Sequence, residues 1–373
     1  MTTMQIVIDQ NIVGANETFA HHGQVLRVDG RKLHPEQLRK AKALIVRSVT
    51  RVDSTLLENS PVRFVGTTTI GTEHLDTAWL EQNGITWAGA PGCNADAAAQ
   101  YTLAMMLLSG QKIGFELSRC KVGIVGYGNV GSRLCRLLRA LGHSQLTLND
   151  PPRADTGQPG LSELEHITRC DVISFHVPLS MFGKHATYGM IDEEFFSRLK
   201  PGALLVNTAR GKLMNSRPLL EWLRSGRGFA ALDVFPEEPG MDLELLDACT
   251  VATPHVAGYS LDGKISGTLM VYRQFCDWLN SKPAEHTLLR DLETHTFAPE
   301  QSSTLADAIL TCCPVERDDE NLRRIAGMEP GRRAAWFDIL RRDYPPRRDF
   351  SGWIRPTDAP DSLAHILENL GFH

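Results

Sequence analysis

From residue 4 to about residue 90, short apolar runs recur between polar segments: QIVID, KALIVRS, RFVGTTT and GITWAGA. Runs of this length, rich in β-branched residues and spaced by stretches long enough for helices, predict βαβ units around a parallel sheet. DAAAQYTLAMMLLSGQKIG follows, with Asp96 near its start and Gly110 and Gly114 toward its end. Its apolar positions cover most faces, which predicts a long helix buried between domains. A second series then begins at KVGIVGYGNVGSRLCRLLRALG and continues through SQLTLND, DVISFHV, GALLVNT, FAALDVF and CTVATPH. These are six strand candidates with helices between them, the number expected of a complete dinucleotide-binding sheet. KISGTLMVYRQFCDWLN after Tyr259 predicts a helix that returns to the first domain, making that domain discontinuous in sequence.

Beyond Pro283 the pattern changes. From about residue 286 the chain is rich in Arg, Asp, Glu and Pro, has no lysine, and holds a helix-like AAWFDILRRDY followed by PPRRDFSGW. Trp336, Phe337, Phe350 and Trp353 argue against a solvated tail and for a small third domain or an oligomerisation arm.

Composition narrows the function classes. A chain of 373 residues exceeds one ordinary core and predicts two or three domains. A net charge of -5 argues against nucleic acid as the partner. No apolar run reaches the roughly 18 residues of a membrane-spanning helix, and MTTMQIVIDQ has no basic leader, so the expectation is no membrane partner and a cytoplasmic location. The eight cysteines form no C-x-x-C pair, which predicts reduced thiols and no metal site.

Four stretches carry chemistry. In VGIVGYGNVGSRLC, Gly126, Gly128 and Gly131 follow an apolar strand and open a helix, with Asn129 and Val130 among them. Glycines there permit a tight turn and close approach of the backbone to a pyrophosphate facing the helix N-terminus. Asp150, nineteen residues past Gly131 at the end of LTLND, completes the fingerprint. A carboxylate at this position binds adenosine ribose hydroxyls and repels a 2′-phosphate, favouring NAD over NADP, although Arg153 lies close by. In LLVNTARGKLMN, Arg210 stands just past a strand, where a guanidinium can clamp a carboxylate and polarise a neighbouring carbonyl. ALDVFPEEPG places Asp233 at a strand end, followed by Glu237 and Glu238, and TPHVAG brings His255 after the next strand. A histidine in an apolar run is by itself an ordinary core residue. A carboxylate from the preceding turn, bonded to one imidazole nitrogen, would free the other for proton transfer. The residues alone leave Glu237 and Glu238 equally placed for this.

The ordered set GYGNVG, NTARG, LDVFPEEP and TPHVAG resembles the D-isomer-specific 2-hydroxyacid dehydrogenase family over roughly residues 1 to 280. The resemblance implies an α/β fold of two Rossmann-like βα domains with a cleft between them, the first discontinuous, plus a small C-terminal α+β domain. Residues 1–100 and 259–285 would be the substrate-binding domain, 101–258 the NAD-binding domain and 286–373 a dimerisation domain. It further implies that Arg210 binds the substrate carboxylate and hydroxyl oxygen, that Glu238 is the catalytic carboxylate, and that His255 is the acid/base. Thr208 and Asp233 would lie against NAD, Asp233 on its nicotinamide side.

LIVRSVTRVD, FVGTTTIGTEHLD, APGCNA, NDPPRAD and TPHVAGYSLDGK, with the Arg-rich extension, narrow the resemblance to a member acting on a phosphorylated 2-hydroxy acid. By that likeness Ser48, Thr69 and Tyr259 contact substrate, and Val177 and Gly258 lie along the cofactor. A phosphate needs cations. Arg47 is the first candidate, and Arg347 with Arg348 the second, on condition that the extension of a partner subunit reaches the cleft of a homodimer. A 2-oxo acid is the candidate reoxidant of bound cofactor. Gln100, Glu73 and Asn215 depart from the family pattern, Asn215 in a place where a helix-capping role would tolerate it. Competing readings are another member of the family, of the phosphoglycerate or hydroxypyruvate type, and an NAD-sensing corepressor.

Overall fold

Two parallel sheets organise the computed structural model, which describes residues 4–298, 304–356 and 359–373. By its internal contacts the chain divides into two compact units, one of residues 1–94 with 260–293, the other of 95–259 with 294–373.

The first unit holds a five-stranded sheet of β1 (Gln5–Asp9), β2 (Gln24–Val28), β3 (Ala41–Val46), β4 (Phe64–Thr67) and β5 (Thr86–Ala88), in the order β2-β1-β3-β4-β5. Every pairing is parallel. The sequence pattern finds four of these strands and misses β2. Its residues, QVLRV, are mostly exposed because β2 is an edge strand, so no apolar run marks it. The returning helix, Leu261–Trp278, packs Val271, Tyr272 and Phe275 against Ile6, Ile8, Phe19 and Phe64.

The second unit holds β6 (Val122–Val125), β7 (Leu146–Asn149), β8 (Val172–Phe175), β9 (Ala203–Asn207), β10 (Gly228–Leu232) and β11 (Val251–Ala252). All six strand candidates are present, in the order β11-β10-β9-β8-β6-β7. Successive strand residues point to opposite faces. Val122, Ile124, Leu204, Val206 and Ala231 enter one core, while Val125, Ala203, Leu205, Ala230 and Leu232 enter the other. Coverage of both faces explains why these strands read as unbroken apolar runs. After β7 the chain does not form a third outer strand, because Asp150 caps a helical turn begun by Pro151 and Pro152.

Helix α1 (Ala95–Ile113) is buried along most of its length and packs on α2 (Asn129–Ala140) over the first of these faces. It joins the second unit from its first residue, so the division between the two units falls at 94/95. The terminal segment also clusters with this unit. Its helix α3 (Val315–Arg323) packs on β11 and α1, and α4 (Pro330–Arg342) packs on α3. Ile309, Phe350, Leu367 and Phe372 enter the core under α1 and α2, whereas Leu322, Ile325 and Phe337 enter the opposite one. Two short strands, β12 (His295–Thr296) and β13 (Trp353–Ile354), pair within the terminal domain, giving it α+β character.

Candidate active site

In the second unit the strand order reverses between β6 and β8, the switch point at which open α/β sheets bind ligands. The glycine loop sits there, and its three glycines have separable tasks. Gly126 has φ 91°, and a Cβ on it would meet the His176 carbonyl at 2.7 Å and Val177 Cγ1 at 2.9 Å. Gly131 packs the start of α2 so closely that a Cβ would lie 1.9 Å from the Gly126 oxygen. Gly128 faces open space, with nothing within 4 Å of where a Cβ would stand, as approach of a pyrophosphate requires. Asn129 and Val130 form the first turn of α2.

Asp150 accepts the Tyr127 N–H at 2.8 Å and the Arg153 N–H at 3.1 Å, which fixes its carboxylate beside the glycine loop. The Arg153 guanidinium stands 3.8 Å away and half exposed. Thr208, after β9, shares a 2.8 Å hydrogen bond with Thr102 of α1. These features fit a dinucleotide.

Arg210, Glu238 and His255 follow β9, β10 and β11, three neighbouring parallel strands whose carboxyl ends share one edge of the sheet. Buried Asn207 shapes the arginine loop by accepting the Ala209 N–H at 3.0 Å and donating to the Arg210 carbonyl at 2.9 Å. A Cβ on Gly211 would lie 1.9 Å from the Phe235 oxygen, so only glycine lets the arginine loop abut the turn that carries Glu238.

The structure separates the two glutamates. Glu237 accepts from Ser216 Oγ at 2.5 Å on the exposed side. Glu238 Oε1 stands 2.8 Å from His255 Nδ1, with the two side chains 23% and 29% exposed. A carboxylate accepts only, so Nδ1 carries the proton of this bond and Nε2 is the nitrogen available to a substrate.

Buried Asp233 holds the histidine turn. It accepts Thr253 Oγ1 at 2.7 Å and the Val256 N–H at 2.9 Å on one oxygen, and the Ala257 N–H at 3.0 Å on the other. Burial pushes its carboxyl pKa up, against the opposing pull of His255 and of these hydrogen bonds. His255 has φ 58°, a left-handed conformation that costs a non-glycine residue about 1–2 kcal/mol. Its N–H donates to the Asp233 carbonyl at 2.7 Å, so both ends of Asp233 sustain that geometry. Gly258 and Tyr259 continue the same turn, and the Tyr259 N–H donates to the Val256 carbonyl at 2.8 Å.

In the first unit, Arg47 and Ser48 follow β3, and Thr69 follows the adjacent β4, at the carboxyl edge of that sheet. Arg47 Nε lies 3.3 Å from Asp9, which ends β1 across the switch point, so the cation arrives already facing a carboxylate. Thr69 Oγ1 bonds Thr67 Oγ1 at 2.8 Å, and Thr67 in turn meets His74 Nε2 at 2.9 Å. Sequence reasoning singled out neither Asp9 nor Lys264. Desolvation, followed by repulsion from Arg47, pushes the Lys264 pKa down.

Arg347 and Arg348 are not surface cations. Arg347 is 5% exposed and donates to the Ala257 carbonyl at 2.6 Å and the Tyr259 carbonyl at 3.1 Å of its own chain. Arg348 is also buried, packed so tightly on Gly352 that a Cβ there would lie 2.7 Å from its guanidinium carbon. Within its own chain, burial and internal hydrogen bonds hold Arg347, and burial against Gly352 holds Arg348. Gln100 accepts the Phe350 N–H at 3.1 Å and so serves to dock the terminal domain. Asn215 stands at a helix N-cap, but its side chain makes no capping hydrogen bond. Among the described residues, no group of three or more His, Cys, Asp or Glu is arranged to hold a metal, and no helix is long and apolar enough to cross a membrane.

Comparison with known proteins agrees with this geometry. Residues 98–257 match the model of the D-isomer specific 2-hydroxyacid dehydrogenase NAD binding domain, and residues 289–371 match a model described only as a domain of unknown function. The chain is 40% identical over 380 aligned positions to an erythronate-4-phosphate dehydrogenase of Proteus mirabilis, covering 99% of both chains. It is 42% identical to the Pseudomonas entomophila protein of the same name, covering 99% of this chain and 98% of that one. Among solved structures, NAD+-bound 3-phosphoglycerate dehydrogenase of Entamoeba histolytica shares the fold, with a TM-score of 0.65, 24% identity, and coverage of 75% of this chain and 96% of that one. By its site, its glycine loop and its full-length relatives, the chain belongs to the D-isomer-specific 2-hydroxyacid dehydrogenase family.

Proposed function

We propose that the chain oxidises 4-phospho-D-erythronate at carbon 2, giving (R)-3-hydroxy-2-oxo-4-phosphooxybutanoate, as a step in pyridoxal 5′-phosphate biosynthesis. The observation that carries the chemistry is the Glu238–His255 pair at 2.8 Å, beside the Arg210 loop. The substrate rests on the full-length relatives, which are erythronate-4-phosphate dehydrogenases by name.

Arg210 holds the substrate carboxylate and polarises the oxygen on carbon 2. His255 Nε2 takes the hydroxyl proton, and Glu238 stabilises the imidazolium that results. NAD, when bound, supplies the acceptor for the hydride leaving carbon 2. Gly126, Gly128, Asn129, Val130 and Gly131 hold its pyrophosphate, Asp150 its adenosine ribose, and Val177, Thr208, Asp233 and Gly258 the remainder. The proton on His255 then passes to water. Arg47 takes the phosphorylated end, and Ser48, Thr69 and Tyr259 contact substrate. The protein works in the cytoplasm as a homodimer joined through its terminal domain, with a 2-oxo acid as reoxidant.

Steady-state assay of 2-hydroxy acids with and without the 4-phosphate tests the substrate. The phosphorylated acid is expected to be turned over with much the higher kcat/KM. Equal use of both forms moves the protein to another branch of its family, and NAD-dependent partner binding without any turnover moves it to a sensing role. Sedimentation of the intact chain tests the dimer.

A further inference from the structure

The backbone that carries His255 leaves the sheet from β11, which among the described residues is an edge strand with no neighbour on its outer side. An unpaired edge has to be held by something other than a strand, and here the terminal domain holds it. On the near side of His255, buried Asp319 accepts the Ala252 N–H at 2.7 Å. Arg323 pairs with the same carboxylate at 3.0 Å and donates to the Leu246 and Cys249 carbonyls, fixing the chain that leads into β11.

On the far side stands Arg347. Its Nη2 reaches the Ala257 carbonyl and its Nε the Tyr259 carbonyl, two and four residues beyond His255. The guanidinium lies 5.0 Å from the centre of the Tyr101 ring, and Nη1 contacts Cys313 Sγ at 3.1 Å. Ala257 is thereby pinned on both backbone polar groups, its N–H by Asp233 and its carbonyl by Arg347. A planar guanidinium has its donors in a fixed fork, so placing two carbonyls also places the peptide planes between them. Asp233 holds the N–H groups of Val256 and Ala257, and Arg347 holds the carbonyls of Ala257 and Tyr259.

We infer that Arg347 is a positioning residue for His255: the terminal domain sets the reach of the catalytic imidazole in its own chain, by fixing the turn through Ala257 and Tyr259. The inference rests on the reading of His255 as acid/base. It gives the terminal domain a part in the chemistry that assembly of subunits does not require.

The test compares R347A and R347K with wild type as full-length proteins. Amide hydrogen exchange is expected to rise about tenfold or more in the peptide spanning 253–260 of R347A, with the other strands of the sheet unchanged. With the 2-hydroxy acid that wild type uses, kcat falls about ten- to a hundredfold, as a catalytic group displaced by a fraction of an ångström to an ångström loses rate. KM and NAD affinity change less than kcat, because Arg210 and the glycine loop are untouched and only Gly258 and Tyr259 ride on the loosened turn. Added methylguanidinium restores part of the R347A rate, and R347K lies between R347A and wild type. Should R347A fail to fold, R347K carries both measurements. A raised KM for phosphorylated substrate at unchanged kcat would make Arg347 a substrate cation and overturn the inference. So would unchanged exchange at 253–260, or a kcat loss that only follows the folded fraction. If wild type turns over some other 2-hydroxy acid, the proposed substrate fails while the Arg347 comparison proceeds with that acid. If it turns over none, the proposed activity fails, and the exchange measurement still decides whether Arg347 holds the turn.

Discussion

Glu238→Gln isolates what the carboxylate does for His255. Glutamine is nearly isosteric, and its amide oxygen can still accept from Nδ1, so the imidazole keeps its orientation. What disappears is the charge opposite the imidazolium that forms as the substrate hydroxyl is deprotonated. A hydrogen bond to a charged group is worth about 1.5–3 kcal/mol. The two side chains are 23% and 29% exposed, so water screens part of the attraction and the lower half of that range applies. Taking about 1.5–2 kcal/mol at 1.36 kcal/mol per tenfold gives a loss of roughly 10- to 30-fold in kcat/KM. Glu238 Oε2 is buried with no hydrogen-bond partner among the described residues, so the new amide N–H2 meets no acceptor there and the loss is at least this large. The assay is initial-rate NADH formation at saturating NAD, with folding checked by circular dichroism. A double-mutant cycle sharpens it: in an H255A background, E238Q should change the residual rate by less than about twofold, because the carboxylate acts through the imidazole. A well-folded E238Q enzyme within twofold of wild type, or a full E238Q effect that persists without His255, would refute the reasoning.

Other expectations follow from the same geometry. Asp150→Ala should weaken NAD about tenfold while leaving NADP nearly unchanged, since one charged hydrogen-bonding partner of the ribose is lost and a 2′-phosphate is no longer repelled; cofactor titrations measure this. Gly131→Ala places a Cβ 1.9 Å from the Gly126 oxygen, and urea unfolding should show a loss of about 3 kcal/mol or more, with a smaller effect meaning that α2 can shift outward. Burial pushes His176, at the end of β8, down to about 3, whereas an unfolded histidine titrates near 6.5. The unfolded state therefore gains this proton first on acidification, and stability is lost as pH falls below about 6.5 with a slope of up to about 1.4 kcal/mol per unit. Urea midpoints of His176→Gln, which can keep the hydrogen bond to Ser174, should fall less steeply than wild type between about pH 7 and pH 5, and parallel curves would count against it.

How much was legible in the sequence varied with the kind of signal. The six strands of the second unit were visible because both faces are covered, so each reads as an apolar run. β2 was invisible for the opposite reason, since an exposed edge strand carries Gln and Arg without penalty. The glycine loop was legible because its function needs a particular residue at particular spacings. The choice between Glu237 and Glu238 was not, since adjacent glutamates on one turn differ only in which way the backbone aims them. The surroundings of Arg347 were not legible either, because nothing local in PPRRDF indicates that carbonyls and an aromatic ring await the guanidinium.

The sequence by itself determined which groups are available to the proposed chemistry, to bind a pyrophosphate, clamp a carboxylate and move a proton, and that each stands at the end of a strand. Those facts are local, set by strand length, turn residues and spacing. Only the tertiary structure decided that β9, β10 and β11 lie side by side and bring Arg210, Glu238 and His255 to one edge, and that the terminal domain grips the histidine turn of its own chain. Strand order and the docking of distant segments depend on contacts across many residues, and no single stretch of the chain encodes them.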